Sequence, residues 1–145
     1  MVSGSESKLV RVPVNTAVVQ GSAVTLECSS DVSGSFIYWF NRLCVRNNKI
    51  GDCQQHDYIY NGFANKFGSS VNITRFSVTS VNNATHVTRD IIINPVGPNR
   101  LQHSDAGVYL CVEFVVAKIT DTSSAQLIVI GMKTTYNHLK VNTHN

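Results

Sequence analysis

Asp105-Ala106-Gly107-Val108-Tyr109-Leu110-Cys111 opens an apolar run that extends over residues 107–116 and carries the most informative spacing in the chain. A run of this length that is rich in β-branched and aromatic residues predicts a strand. Residues 23–28 alternate between apolar and polar with period two, which also predicts a strand, and this one ends at Cys28. Residues 36–42 form a third predicted strand, with the only tryptophan, Trp39, at its centre. Cysteine, tryptophan and cysteine therefore follow one another on three predicted strands.

The other apolar stretches are short and bounded by Gly, Asn, Ser or Pro, which is typical of strands and turns. Because Pro13 lacks a backbone donor, we expect residues 9–12 and 14–19 to form one broken edge strand. A loop over residues 118–124 is predicted to join the last two strands. The remaining predicted strands cover residues 58–60, 71–78, 85–93 and 125–130. The fold class is therefore predicted to be all-β, with eight or nine strands.

Size and composition favour one ordered domain. The chain has 145 residues, of which 43% are hydrophobic and 14% charged, enough apolar material for one core. The net charge of +3 is small and its basic residues are scattered, unlike those of a nucleic-acid-binding protein. No apolar run approaches the roughly 18 residues that a membrane span needs. We expect a disordered segment at residues 1–7, the domain at 8–131 and a polar stalk or linker at 132–145.

The four cysteines, Cys28, Cys44, Cys53 and Cys111, allow three disulfide pairings. None forms a C-x-x-C pair, which favours structural disulfides in an oxidising compartment over a zinc site. Two sequons agree with that compartment, because Asn72-Ile73-Thr74 and Asn83-Ala84-Thr85 are acceptors for N-linked glycans. The sequence therefore predicts an extracellular protein, as the ectodomain of a cell-surface receptor or in a secreted form.

Three matched elements, Val24-x-Leu26-x-Cys28, Trp39 and Asp105-x-Gly107-x-Tyr109-x-Cys111, resemble the immunoglobulin superfamily. The resemblance spans residues 9–130 and implies a two-sheet sandwich with Greek-key connections. It also implies that Cys28 and Cys111 are joined across the core, that Trp39 packs on this bridge, and that Tyr109 forms a tyrosine corner. Cys44 and Cys53 would then form the second bridge.

The subtype predicted within this family is the variable, or V, type. Arg75 resembles the family's arginine that pairs with an aspartate, here Asp105, and the long separation of Cys28 from Cys111 leaves room for extra edge strands. An I-set domain with a long loop is the alternative. The F-G-x-G joining signature is absent, so the chain is not an ordinary antibody or T-cell receptor chain. The segment over residues 93–101 is also longer than the family pattern explains.

Alternation on the strands around Trp39 and Cys111 predicts a candidate binding face. If these two side chains point inward, the outer face carries an apolar patch larger than monomers usually expose. In the family this is the GFCC′ sheet, through which V domains pair with themselves or with a related chain. We therefore expect a protein partner, as a homodimer or heterodimer, unless residues 44–68 fold back over the patch. The predicted contacts are Tyr38, Phe40, Arg42, Leu110, Val112 and Phe114.

Other functions are less well supported by the sequence. Adjacent residues such as His103-Ser104-Asp105 cannot form the relay geometry of acyl transfer, and Asp52, His56 and Asp57 show no recognised metal-ligand spacing. We therefore expect no enzyme, no cofactor and no metal. The predicted function is a recognition module of an immune-type or cell-adhesion receptor. The alternative is a soluble pattern-recognition or carbohydrate-binding domain that uses the loops at residues 29–35 and 117–124.

Overall fold

The structure is a computed structural model that describes residues 9–41, 45–46, 49–50, 58–93 and 101–131. Several predictions fall outside the described residues. These are the segments at residues 1–7 and 132–145, the contact residue Arg42, and the cysteines Cys44 and Cys53.

The regular secondary structure of the described residues is strand, apart from one short 3₁₀ turn at His103–Asp105. The strands outnumber the eight or nine predicted, because the first predicted strand is divided in two and four two-residue strands were not predicted. These four are Ser29–Ser30, Val45–Arg46, Lys49–Ile50 and Lys66–Phe67. In chain order they are β1 (Leu9–Arg11), β2 (Thr16–Val19), β3 (Val24–Leu26), β4 (Ser29–Ser30), β5 (Phe36–Phe40), β6 (Val45–Arg46), β7 (Lys49–Ile50), β8 (Tyr58–Asn61), β9 (Lys66–Phe67), β10 (Phe76–Asn82), β11 (Val87–Ile93), β12 (Gly107–Val115) and β13 (Lys118–Ile130).

Two sheets build the domain. In the first, β11 is central and pairs antiparallel with β10, β3 and β4, and β1 pairs with β4. In the second, the strand order is β2-β13-β12-β5-β8-β9, and every pair is antiparallel except β2 with β13, which is parallel. Strands β6 and β7 form a separate antiparallel pair.

Pro13 divides the first predicted strand between the two sheets. Strand β1 before it pairs with β4 in one sheet, whereas β2 after it pairs with β13 in the other. The chain therefore crosses from one sheet to the other at the residue that has no backbone donor. The prediction of a break at Pro13 is confirmed, but the two pieces belong to different sheets.

Two predicted boundaries are wrong. Strand β10 begins at Phe76 instead of Val71, because the Asn72 carbonyl accepts hydrogen bonds from the backbone N–H groups of Arg75 and Phe76 and holds a turn there. The loop predicted at residues 118–124 is part of β13, which is one strand over Lys118–Ile130. The turn is only Val116-Ala117, both at positive φ (51° and 61°), and such a two-residue turn matches the twist of a hairpin.

The main core lies between the sheets around the disulfide that joins Cys28 to Cys111, with their Cα atoms 6.6 Å apart. Trp39 is fully buried, and its indole N–H donates to the Arg89 carbonyl oxygen at 2.6 Å. Each fully buried aliphatic side chain stabilises the fold by about 1.5–3 kcal/mol. The largest such side chains are Leu26, Ile37, Ile91, Ile93, Leu101 and Leu127.

Candidate functional site

A second apolar cluster lies on the other face of the sheet that contains Trp39 and Cys111. Strands β5 and β12 pair in register, with Leu110 opposite Phe40 and Val112 opposite Tyr38. Because side chains alternate along a strand, these four residues point away from the main core, as the sequence predicts. The cluster consists of Phe40, Leu110, Val112 and Ile119, with Tyr38, Tyr58 and Phe114 packed against it.

The inner part of this cluster is not open to solvent, which corrects the expectation of a wholly exposed patch. Phe40 is 3% exposed, Leu110 4% and Val112 0%. Neighbouring rings account for part of this burial, since Tyr38 stacks on Phe40 with ring centroids 6.3 Å apart and Tyr58 meets Tyr38 edge-on. Tyr58 belongs to the segment that the sequence analysis named as a possible cover. Phe40, Leu110 and Val112 remain predicted contacts for a partner, but their burial argues against direct contact.

The accessible part of the same face is an aromatic cleft of about 270 Å³. It is lined by Phe36, Tyr38, Phe63, Phe114 and Ala117, and this set is called the aromatic cleft below. Two edge-to-face contacts organise it, since Phe36 and Phe63 have ring centroids 5.0 Å apart and Tyr38 and Phe114 4.9 Å apart. Phe63 remains 66% exposed. Tyr38 and Phe114, two of the predicted contacts, thus meet in one concave apolar site.

The turn after β8 presents Phe63 to this cleft. The Asn61 side-chain oxygen accepts hydrogen bonds from the backbone N–H groups of Phe63 at 2.9 Å and Ala64 at 2.8 Å. Gly62 lies so close to β5 that a Cβ atom on it would be 1.9 Å from the Ile37 carbonyl oxygen. Only glycine fits there, so the turn is held against the central strand of the cleft.

The opposite wall is the Val116-Ala117 turn between β12 and β13. Val116 is 85% exposed beside Ala117, which lines the cleft. Lys66, in the strand that follows the Phe63 turn, and Lys118, next to Ala117, are also exposed. The aromatic cleft therefore has apolar walls and two cations in the adjoining strands.

Tyr38 supplies the polar group of the cleft. Burial raises the pKa of its hydroxyl, the neighbouring Tyr58 raises it further, and a hydrogen bond with the Asn61 side chain opposes the rise. At neutral pH the hydroxyl is therefore protonated and able to donate. A protonated tyrosine at the edge of an apolar surface suits a protein contact that is largely aromatic.

The other residues that match the immunoglobulin pattern lie together near the start of β12. Arg75 forms an ion pair with Asp105, whose Oδ2 also accepts from the Gln102 backbone N–H at 2.7 Å. The Tyr109 hydroxyl donates to the Asp105 carbonyl oxygen at 2.6 Å, and burial is the main cause of the raised pKa of Tyr109. Gly107 has φ 145°, in the region that favours glycine. These residues close the sandwich and lie away from the aromatic cleft.

Two buried acidic residues, Glu113 and Asp90, were not predicted from the sequence. Glu113 is fully buried on the core side of β12, where the hydroxyl groups of Ser30 and Thr120 donate to its carboxylate. Asp90 accepts from the Cys28 backbone N–H at 2.9 Å and from Arg11 at 3.0 Å, and its pKa is raised chiefly by burial. Neither residue belongs to a recognisable motif, so only its position on a predicted strand could have indicated that it is buried.

Phe36 and Phe63 were also missed as site residues. Phe36, Tyr38 and Phe40 are spaced two residues apart on β5, so the same alternation could have placed Phe36 on the outer face. Phe63 follows Asn61-Gly62, a turn dipeptide, and nothing in the sequence places a turn residue against a particular strand.

The structure gives little support to the other predicted sites. Ser29, Ser30 and Ser35 are buried, so the loop at residues 29–35 that was predicted for carbohydrate is exposed only at Asp31, Ser33 and Gly34. Asp105 is committed to Arg75, and in the described ranges no group of three His, Cys, Asp or Glu side chains could hold a metal ion. No helix in the part of the chain that the structure describes is long and apolar enough to span a bilayer. Asn72 and Asn83, the two sequon asparagines, are exposed.

Comparison with known proteins rests on solved structures, since no family model and no curated protein sequence matches this chain. The Ig1 domain of mouse SynCAM 2 is 21% identical with a TM-score of 0.53, covering 83% of this chain and 95% of that one. Dpr1 IG1 bound to DIP-eta IG1 is 20% identical with a TM-score of 0.53, covering 83% and 92%. The RIG-5 IG1 homodimer is 15% identical with a TM-score of 0.51, covering 84% and 95%. At these identities the likeness establishes the fold, which is the two-sheet immunoglobulin sandwich that the sequence predicts.

Proposed function

We propose that this immunoglobulin-fold domain is an extracellular, non-catalytic recognition module of an immune-type or cell-adhesion receptor, and that it binds a protein partner at the aromatic cleft. The observation that carries the proposal is a concave apolar site on one sheet with Phe63 66% exposed. Exposed aromatic side chains on a rigid scaffold are the residues that dominate protein interfaces. Two of the structural neighbours agree, one described as a RIG-5 IG1 homodimer and one as Dpr1 IG1 bound to DIP-eta IG1.

The V-type assignment is part of this proposal. Strands β8 and β9 extend the sheet beyond β5, and variable-type domains carry two such extra strands. The Arg75–Asp105 ion pair supports the same subtype. A V-type partner, either a second copy or a related domain, would then meet this sheet.

The predicted contacts would then form two layers. Tyr38 and Phe114 line the cleft together with Phe63, and Val116 extends the accessible surface beyond it. Phe40, Leu110 and Val112 lie beneath them and support the shape of the site. A specific interface buries about 800 Å² on each partner, so the aromatic cleft would be its centre and not its whole extent.

Phe63→Arg is the variant that tests the proposal, because the exposed side chain of Phe63 can change without disturbing the core. Val14→Arg is the matched control, since Val14 is 67% exposed in the link between β1 and β2. Sedimentation velocity over a wide concentration range measures self-association. Binding to a panel of extracellular immunoglobulin-type domains measures heterophilic partners.

We expect Phe63→Arg to weaken the interaction at least about tenfold, because a central aromatic anchor is replaced by a charge. Val14→Arg should leave it unchanged. The proposal fails if Phe63→Arg binds as well as the wild type or if Val14→Arg loses as much. It also fails if the wild type is monomeric and binds no domain of the panel. Glycan-array binding that Phe63→Arg leaves intact would overturn it in favour of the carbohydrate alternative.

A further inference from the structure

A second cavity, of about 320 Å³, lies at the end of β12 opposite the aromatic cleft. It is called the Asn72 cavity below, because the sequon residue Asn72 is part of its wall, together with Arg75, Phe76 and Asp105. We propose that this cavity holds the first sugar of an N-linked glycan carried by Asn72. The proposal concerns a different surface from the aromatic cleft and does not depend on it.

The local hydrogen bonds position Asn72 for this role. Its side-chain oxygen accepts from the Thr74 backbone N–H at 3.0 Å and from the Thr74 hydroxyl at 2.6 Å. Its main-chain carbonyl accepts from the N–H groups of Arg75 at 3.0 Å and Phe76 at 3.2 Å. All of these bonds use oxygen atoms of Asn72. Nδ2, the atom that carries the sugar, is therefore left uncommitted by them on an exposed residue.

The chemistry of the wall suits a sugar with an acetamido group. The cavity is lined by the polar residues Asn41 and Ser104 as well as by Phe76, so both the hydroxyl groups and the apolar face of a sugar would find partners. A volume of this size is at the lower end for a ligand site, which fits a single sugar unit.

The covalent step needs an activated oligosaccharide attached through its anomeric carbon to a lipid diphosphate. The bond between the anomeric carbon and the diphosphate oxygen breaks, and a bond from that carbon to Asn72 Nδ2 forms. One Nδ2 proton is released, and the lipid diphosphate leaves. The product is a neutral amide with one remaining N–H, so no charge is brought to the Arg75–Asp105 pair.

The other sequon provides a matched control. Asn83 has nearly the same local geometry, since its side-chain oxygen accepts from the Thr85 N–H at 2.9 Å and the Thr85 hydroxyl at 3.0 Å. Asn83 is exposed in the turn between β10 and β11 and lines neither the Asn72 cavity nor the aromatic cleft. A glycan on Asn83 is therefore not expected to occupy either of these two cavities.

The experiment compares the full chain secreted from a eukaryotic host, as wild type, Asn72→Gln and Asn83→Gln. Mass spectrometry of the peptides establishes which sites are occupied, and calorimetry gives Tm. Each protein is also trimmed with an endoglycosidase that leaves a single N-acetylglucosamine. The same three sequences produced in a bacterial periplasm, without glycans, measure the effect of the substitutions alone.

We expect the loss of the Asn72 glycan to lower Tm by about 4 °C. This is the shift that a loss of about 1 kcal/mol in the free energy of unfolding produces in a domain of this length. Trimming to one sugar should preserve Tm, because only that sugar lies in the cavity. Each substitution also removes side-chain hydrogen bonds of its turn, so the change in Tm of the bacterial protein is subtracted first. After this subtraction, Asn83→Gln should change Tm by less than about 1 °C. An unmodified Asn72, an equal effect at Asn83, or a full loss of the stabilisation on trimming would each overturn the proposal.

Discussion

Gly62→Ala is expected to destabilise the domain by about 3 kcal/mol, at the upper end of the range for overpacking. A Cβ atom at Gly62 would lie 1.9 Å from the Ile37 carbonyl oxygen, 2.8 Å from the carbonyl carbon and 2.9 Å from the nitrogen, whereas real Cβ contacts are essentially never shorter than 3.0 Å. The turn and the strand must therefore separate by about 1 Å. Ile37 is fully buried and paired with Glu113 in the centre of the sheet, so β5 cannot move away from the Gly62 turn without breaking that pairing.

Urea unfolding followed by the fluorescence of Trp39 measures this loss, since the only tryptophan is fully buried in the native state. Gly34→Ala is the control, because an added Cβ there would have no atom within 4 Å and only the positive φ of 83° is unfavourable, at a cost of about 1 kcal/mol. The steric explanation is refuted if Gly62→Ala is no more destabilising than Gly34→Ala. The same collision should displace Phe63, so Gly62→Ala is also expected to weaken partner binding.

Three further substitutions test the other described contacts. Arg75→Met leaves the buried Asp105 carboxylate without its cation and should cost about 3–5 kcal/mol in urea unfolding; a cost below about 1 kcal/mol would contradict a buried pair. Tyr109→Phe removes the hydrogen bond to the Asp105 carbonyl and should cost about 1–2 kcal/mol, and an unchanged midpoint would count against that bond. The pKa of Asp90 is raised, chiefly by burial, so the folded state holds this proton more tightly than the unfolded chain does. The stability of the wild type relative to Asp90→Asn should therefore increase as the pH falls from about 7 through this raised pKa, and a difference independent of pH would contradict it.

The sequence predicted the fold well because the deciding signals are local. Alternation places Leu26 and Cys28 on one side of a strand, and the same period places Trp39 and Cys111 inward on theirs. The structure joins the two cysteines and buries all four residues. The two-sheet sandwich and the bridge, which the resemblance to the immunoglobulin superfamily implied, are therefore confirmed.

The candidate site was only partly predictable, because exposure depends on neighbouring strands. Alternation placed Phe40 and Val112 on the outer face but could not show that other side chains would bury them. Glu113 reaches Ser30, which is 83 residues away in the chain, so its burial has no local signature. The polar segment after Ala117 was predicted as a loop, although its threonines suit a strand and the actual turn has only two residues.

The parallel pairing of β2 with β13 determines how the domain would respond to mechanical force. Thr16–Val19 runs alongside Leu127–Ile130 in the same direction. Tension applied at Asn15, before the start of β2, and at Gly131, after the end of β13, pulls the two parallel strands in opposite directions along their axes. Their inter-strand hydrogen bonds are then loaded together in shear. A domain held at both ends would therefore resist stretching through this edge of the sheet, whose neighbouring strands also support the aromatic cleft.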